Sequence, residues 1–174
     1  DLIIVGEEVQ TTEGEFLAAF VTQEIPKGLE PLEALKRLKD QGAFISISHP
    51  FDPNRSGWSM ETLTTVAAQV DAIEVFNARV VDARHNQLAA EFTARLGLPG
   101  TAGSDGHHPS EIGSAYSLVT EFHDAESLRQ AIGRGLNGVL QVQAPPFTRT
   151  EQLLEARRVL RRGNDEDVAD PRQH

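Results

Sequence analysis

The chain has 174 residues, 39% of them hydrophobic and none of them cysteine, and its 26 acidic against 16 basic side chains give a net charge of −10. That length supports one sizeable core and a single domain. The absence of cysteine excludes disulfide staples, thiolate metal sites and cysteine nucleophiles, so any metal must be held by oxygen and imidazole nitrogen. Acidity of this degree disfavours duplex nucleic acid as a partner. No apolar run is long enough to span a bilayer, and the opening residues lack a signal-peptide pattern, which predicts a soluble, cytoplasmic protein.

Short apolar runs alternate with helical stretches along the chain. Residues 3–5, 16–22, 43–48, 72–76, 100–103, 117–121 and 139–142 read as strands. Residues 31–40, 60–69, 83–96 and 125–133 carry apolar side chains at helical spacing, for example Leu32, Leu35 and Leu38, or Leu88, Phe92 and Leu96. Turn chemistry supports the boundaries: Pro26-Lys27-Gly28 precedes the first helix, Gln41-Gly42 ends it, and Gly97 to Gly100 separates a helix from its following strand. Repeated strand–helix–strand order predicts an α/β layered or barrel fold with a largely parallel sheet over residues 1–142. Residues 143–147, with two prolines, read as a linker to a last helix at 150–162 and a polar tail. The arginine run Arg157, Arg158, Arg161 and Arg162 there reads as a solvated helix face.

In parallel α/β folds functional groups gather at the C-terminal ends of strands, whose loops face one cleft. His49, Asp52 and Arg55 follow the third run, Asn77 and Arg79 the fourth, and Ser104, Asp105, His107 and His108 the fifth. Asp105 and His107 flank one glycine, so a short turn can aim a hard oxygen and an imidazole into one cavity; a Gly-Ser-Asp-Gly turn also forms without any ligand. His49 directly follows a strand and precedes a proline, where a ligand belongs, although a lone histidine there is as often a satisfied core group. Glu7 and Glu8 follow the first run and Glu15 opens the second, across a polar turn at 10–14. They read either as an exposed acidic hairpin or as further oxygen ligands beside His49, Asp105 and His107. His85 and His123 lie away from strand ends and read as structural or exposed.

The strings Gly-Glu-Glu-Val near the start, Ser-His-Pro-Phe-Asp-Pro-Asn-Arg at 48–55, Glu-Val-Phe-Asn-Ala-Arg at 74–79 and Gly-Ser-Asp-Gly-His at 103–107 resemble the later motifs of PHP (polymerase and histidinol phosphatase) domain proteins. They occur in that family's order, with helices between them, to about residue 138. The resemblance implies a distorted seven-stranded β/α barrel holding two or three divalent metals, manganese, zinc or iron, for phosphate ester hydrolysis. By motif position Glu8 resembles the bridging carboxylate, His49 a metal-ligating histidine, and Asp105 with His107 the pair closing the site. Glu15 stands where many relatives place a histidine, which keeps a ligand but makes it harder and anionic. Relatives open with a His-X-His strand, an aspartate and a further histidine. None of these matches the six histidines here, so a preceding segment carrying the first strands is expected, the alternative being a degenerate protein that has lost it.

The activity so implied is metal-dependent hydrolysis of a small phosphorylated substrate by metal-activated water. Arg55, Arg79 and Asn77 could hold the phosphate, because a guanidinium fork matches its oxygens; both arginines are equally readable as surface ion pairs. His108 is a candidate proton donor to the leaving group, with Pro109 able to turn it outward. Two other classes remain: a non-catalytic scaffold or regulatory module binding metal or a phosphorylated ligand, and an amidohydrolase-type enzyme. Against the latter, Lys27, Lys36 and Lys39 all lie at turn or helix positions, where none can bridge two metals as a carbamate.

Overall fold

A computed structural model of the chain describes residues 3–55, 57–134 and 139–140. In order they form β1 (Gly6–Gln10), β2 (Glu15–Ala19), α1 (Pro31–Asp40), β3 (Phe44–Ile47), α2 (Met60–Ala67), β4 (Ala72–Asn77), α3 (Ala83–Leu96), β5 (Gly100–Gly103), a 3-10 turn (Pro109–Glu111), β6 (Tyr116–Ser117), α4 (Ala125–Arg134) and β7 (Val139–Leu140). The mixed α/β class is as expected, and α1 and α3 have the expected bounds. The linker at 143–147, the helix at 150–162 with its arginines, and the tail lie outside the described residues.

Local chemistry accounts for the helix ends. Ser59 caps α2 by accepting from the Thr62 N–H at 3.2 Å, and Asp82 caps α3 by accepting from the Arg84 N–H at 3.0 Å. Pro31 starts α1, where its missing N–H costs nothing, and Gly97 ends α3 in the left-handed conformation.

Five strands form one sheet in the order β1-β2-β3-β4-β5, and β6 pairs with β7 in a separate antiparallel ribbon. Among the described residues no closed barrel is formed. The sheet is mixed rather than largely parallel: β1–β2 and β2–β3 are antiparallel, β3–β4 and β4–β5 parallel. The path between β2 and β3 explains the difference. After β2 the chain runs back along the sheet, so that Leu29 bridges Thr11 beside the β1–β2 turn, before α1 begins. The helix then returns to the far end, and β3 enters with Phe44 opposite Ala19. An α-helix between two strands makes them parallel only when the loops around it do not themselves cross the sheet. The first strand is also displaced from 3–5 to Gly6–Gln10, because pairing of Glu8 with Leu17 and Val9 with Phe16 outweighs the preceding apolar run.

Alternation along the strands gives the sheet two unlike faces. Val9, Phe16, Ala18, Ile45, Ile47 and Ile73 point to one face and pack with Leu35 and Leu38 of α1, Leu63 and Val66 of α2 and Phe92 of α3. The other face is divided along its length. Near its far end Phe44 and Ala72 pack under Ala125 and Leu128 of α4. That helix is also tied down by Arg129, which donates to Asp71 Oδ1 at 2.9 Å and to the Ala43 carbonyl. Toward the other end the same face turns polar, with Glu8, Glu15, Ser46, Ser48, Glu74 and Thr101.

Candidate metal centre

The polar end is assembled around the turn after β3. Ser48 extends the β2–β3 ladder by donating its N–H to the Glu15 carbonyl at 3.1 Å. His49 then adopts a positive φ of 22°, an unusual conformation for a side-chain-bearing residue, which swings its ring over the sheet. Its Nε2 lies 3.3 Å from Glu8 Oε1 and 3.2 Å from Glu15 Oε2. Ligand atoms of Glu8, Glu15 and His49 all lie within 4.8 Å of one another, and among the described residues this is the one group of three or more such donors. The cluster opens toward Glu8, whose side chain is 42% exposed, against 2% for His49.

Glu74 supports this arrangement from β4. It is 3% exposed, and its Oε2 accepts from the His49 backbone N–H at 2.8 Å, from Asn77 Nδ2 at 3.1 Å and from Ser48 Oγ at 3.4 Å. Gly103 makes room for it: a Cβ there would stand 2.8 Å from Glu74 Oε1. A register shift between Glu74 and Phe76 inserts an extra residue, which turns Asn77 to the same side as Glu74 instead of the opposite one.

From Asn77 the network continues to the loop after β5. Asn77 Nδ2 reaches Asp105 Oδ2 at 3.3 Å, and Arg55 Nη2 donates to the same oxygen at 2.6 Å. Asp105 has a φ of 46°, a conformation that aspartate tolerates better than most residues. Arg55 arrives from the loop after β3, whose base is fixed by Asp52: a buried carboxylate accepting from the Asn54 N–H at 3.0 Å and Asn54 Nδ2 at 3.1 Å.

Charge balance follows from this packing. Burial alone would push the His49 imidazole down, but its hydrogen bonds to Glu15 and Glu8 and the charge of Glu74 outweigh burial and raise it to about 10. Burial pushes the Glu74 carboxyl up, with the His49 N–H and Asn77 amide opposing. A protonated His49 presents a single Nε2–H shared between the two carboxylates.

Of the residues singled out in the sequence, Glu8, Glu15 and His49 come together, and Asp105, Asn77 and Arg55 form the adjoining part of one network. Glu7 has a structural role, accepting the Ile25 N–H at 3.1 Å. His107 is exposed, with Nδ1 3.5 Å from Asp105 Oδ1 and outside the three-donor group. Arg79 pairs with Glu111 at 3.2 Å, and Glu111 also accepts the His107 N–H at 2.7 Å. His108 is exposed and its ring caps the 3-10 turn by accepting from the Ser110 N–H. Lys36 pairs with Asp40, and Lys39 Nζ donates to Gln69 Oε1, so neither is at the cluster. Glu74 was missed as a functional residue. Its signal was a carboxylate between Ile73 and Val75 of an otherwise apolar strand, a residue that burial tolerates only with partners.

Residues 83–136 match the model of the PHP-associated family, so the resemblance read from the motifs holds. An uncharacterized protein of Methanocaldococcus jannaschii is 37% identical over 124 residues, 69% of this chain and 52% of that protein. The chain thus spans about half the length of this curated relative. In structure it is similar to PsfC from Pseudomonas syringae, with a TM-score of 0.54 at 19% identity over 91% of this chain and 65% of that one, a likeness of fold. A chain from Bifidobacterium adolescentis, described as a candidate metal-dependent phosphoesterase, overlaps at 26% identity over 64% of this chain and 39% of its own. Its TM-score of 0.46 is too low to bear on either fold or chemistry.

The donor set fits a divalent cation. Two carboxylate oxygens and an imidazole nitrogen converge at a solvent-open corner, and this combination suits manganese, iron or zinc. The Glu74 contact to the His49 backbone is the kind of outer support that orients a metal ligand.

Proposed function

We propose that this chain is part of a PHP-type, metal-dependent phosphoesterase of the cytoplasm that hydrolyses a small phosphate ester. The observation that carries this reading is the convergence of Glu8, Glu15 and His49 at a sheet end joined through Glu74 and Asn77 to Asp105 and Arg55. Glu8, Glu15, His49, Asp105 and His107 would hold two or three divalent ions, manganese, iron or zinc. Such ions polarise phosphate oxygens and supply a nucleophilic water at neutral pH.

The chain's own residues do the rest. His49, kept in register by Glu74, presents one nitrogen to the cluster. Arg55, bonded to Asp105, and Arg79, paired with Glu111, would supply donor forks that match the phosphate oxygens, while Asn77 keeps Asp105 facing the same cleft. A net charge of −10 favours a small phosphorylated substrate over a nucleic acid polymer. Because the chain covers only 52% of its curated relative, we read the five-stranded sheet as part of a seven-stranded barrel completed by the rest of the protein. The pairing of both arginines with carboxylates favours one second reading, a module that binds metal or a phosphorylated ligand without turning it over.

Metal analysis of the full-length protein, with a manganese-dependent assay on an aryl phosphate, separates the two. Bound metal with turnover supports the enzyme, and bound metal without turnover supports the module. His49→Ala and Asp105→Ala should each abolish metal-dependent turnover with the fold intact, and full activity in either removes that ligand. Arg79→Ala should raise KM more than it lowers kcat; an unchanged KM takes Arg79 out of the substrate site.

A further inference from the structure

We propose that Arg55 is a built-in competitor for the cation position at Asp105, and that loading of a metal there releases Arg55 to the anionic group of the ligand. The inference rests on the metal-centre reading above and adds an order of events to it.

Both oxygens of Asp105 are engaged. Oδ2 accepts from Arg55 Nη2 at 2.6 Å and from Asn77 Nδ2 at 3.3 Å, and Oδ1 faces His107 Nδ1 at 3.5 Å. A guanidinium at 2.6 Å lies within a few ångströms of any cation bound to the same carboxylate, and like charges at such separation in a partly buried site repel strongly. One of the two must leave.

The surroundings decide which. Asn77 is buried, held on β4 by the bulge, and donates also to Glu74 at 3.1 Å. Apart from Asp105, the contact of Arg55 among the described residues is through its backbone, by the turn in which its N–H donates to the Asp52 carbonyl at 3.2 Å, and its side chain is 27% exposed. The guanidinium can therefore swing toward solvent without disturbing the loop base. Once free it presents its donor fork at the mouth of the site, so that a phosphate meets an available arginine only after the cation is in place.

Manganese titration of the full chain tests this at constant ionic strength, comparing wild type with Arg55→Met and Arg37→Met. Release of a charged hydrogen bond predicts at least roughly tenfold tighter manganese binding in Arg55→Met. Arg37→Met, which removes the same charge from an exposed pair with Glu33 on α1, should bind as wild type does. Unchanged or weaker binding in Arg55→Met, or an equal gain in Arg37→Met, overturns the competition while leaving the metal centre standing. No manganese binding in any of the three overturns the metal centre as well. Should Arg55→Met fail to fold, Asp105→Asn serves instead. Without metal it should bind inorganic phosphate several-fold more tightly than metal-free wild type, and no gain overturns the release of Arg55.

Discussion

The two faces of the central sheet are built on opposite terms. On one, Phe16, Ile45, Ile47 and Ile73 meet three helices with almost no exposed surface. On the other, a few ångströms away through the same strands, Glu8 and Glu15 meet the His49 imidazole while Glu74 accepts the His49 backbone N–H. The dry face holds the strands in place by area removed from water. The polar face depends on partners, since each buried carboxylate is tolerable only through its hydrogen bonds and through a proton or other cation nearby. Stability and site chemistry are thus carried by alternate residues of the same strands, which makes the division experimentally separable.

The largest effect should come from the dry face. Phe16 is fully buried and packs edge-on against Trp58 with ring centroids 5.2 Å apart, so Phe16→Ala should cost about 3–5 kcal/mol in denaturant unfolding. His49→Ala should remove metal binding, which Phe16→Ala should retain under conditions where it is folded; loss of metal binding in both would erase the distinction.

The second effect is a pH dependence of the metal-free protein. The His49 imidazole lies at about 10 in the folded chain, above its ordinary 6.5. A raised value means that its contribution is complete below pH 6.5 and is lost as pH rises toward 10. The upward push on Glu74 acts in the same direction. Unfolding free energy measured in chelator should therefore fall across that window, and His49→Gln should flatten the slope. A profile already flat in wild type would show that the imidazole is not held as a cation.

A third, smaller change in stability comes from Glu74→Gln. The amide can still accept the His49 N–H but places its own N–H groups against Asn77 or Ser48, for about 1–2 kcal/mol of stability. Metal affinity should fall further, by roughly 10–100-fold, as when the outer support of a ligand is removed. Unaltered affinity would make Glu74 a packing residue alone.

These residues also show what could be read from the chain. The helices α1 and α3 were legible because apolar spacing, a proline start and a glycine stop agree locally. His49, Glu8 and Glu15 were legible because motif order brought them together on paper before the fold did. Three things were not. The antiparallel entry of β3 depends on a loop that retraces the sheet, and loop direction leaves no periodic trace. The bounds of β1 depend on its partner, Leu17 opposite Glu8, rather than on its own hydrophobicity. Glu74 stood inside a quoted motif, but its role depends on a bulge that turns Asn77 to its side and on Gly103 leaving space, neither visible in one strand.

The smallest expected effect asks whether the polar face needs its polarity for folding at all. Ser46 Oγ and Thr101 Oγ1 lie 3.1 Å apart on that face, between the apolar end under α4 and the carboxylates. Ser46→Ala or Thr101→Val alone leaves one hydroxyl without its partner and should cost about 1 kcal/mol. Removing both hydroxyls leaves nothing unsatisfied, so the double variant should return to within about 0.5 kcal/mol of wild type, with a coupling term of about 1.5–2 kcal/mol, close to the sum of the single losses. If it does, polarity at this level of the sheet is retained for the site beyond it rather than for stability. If the double variant instead loses the sum of the singles, the two hydroxyls serve other partners, and the polar character of the face is part of what holds the strands together.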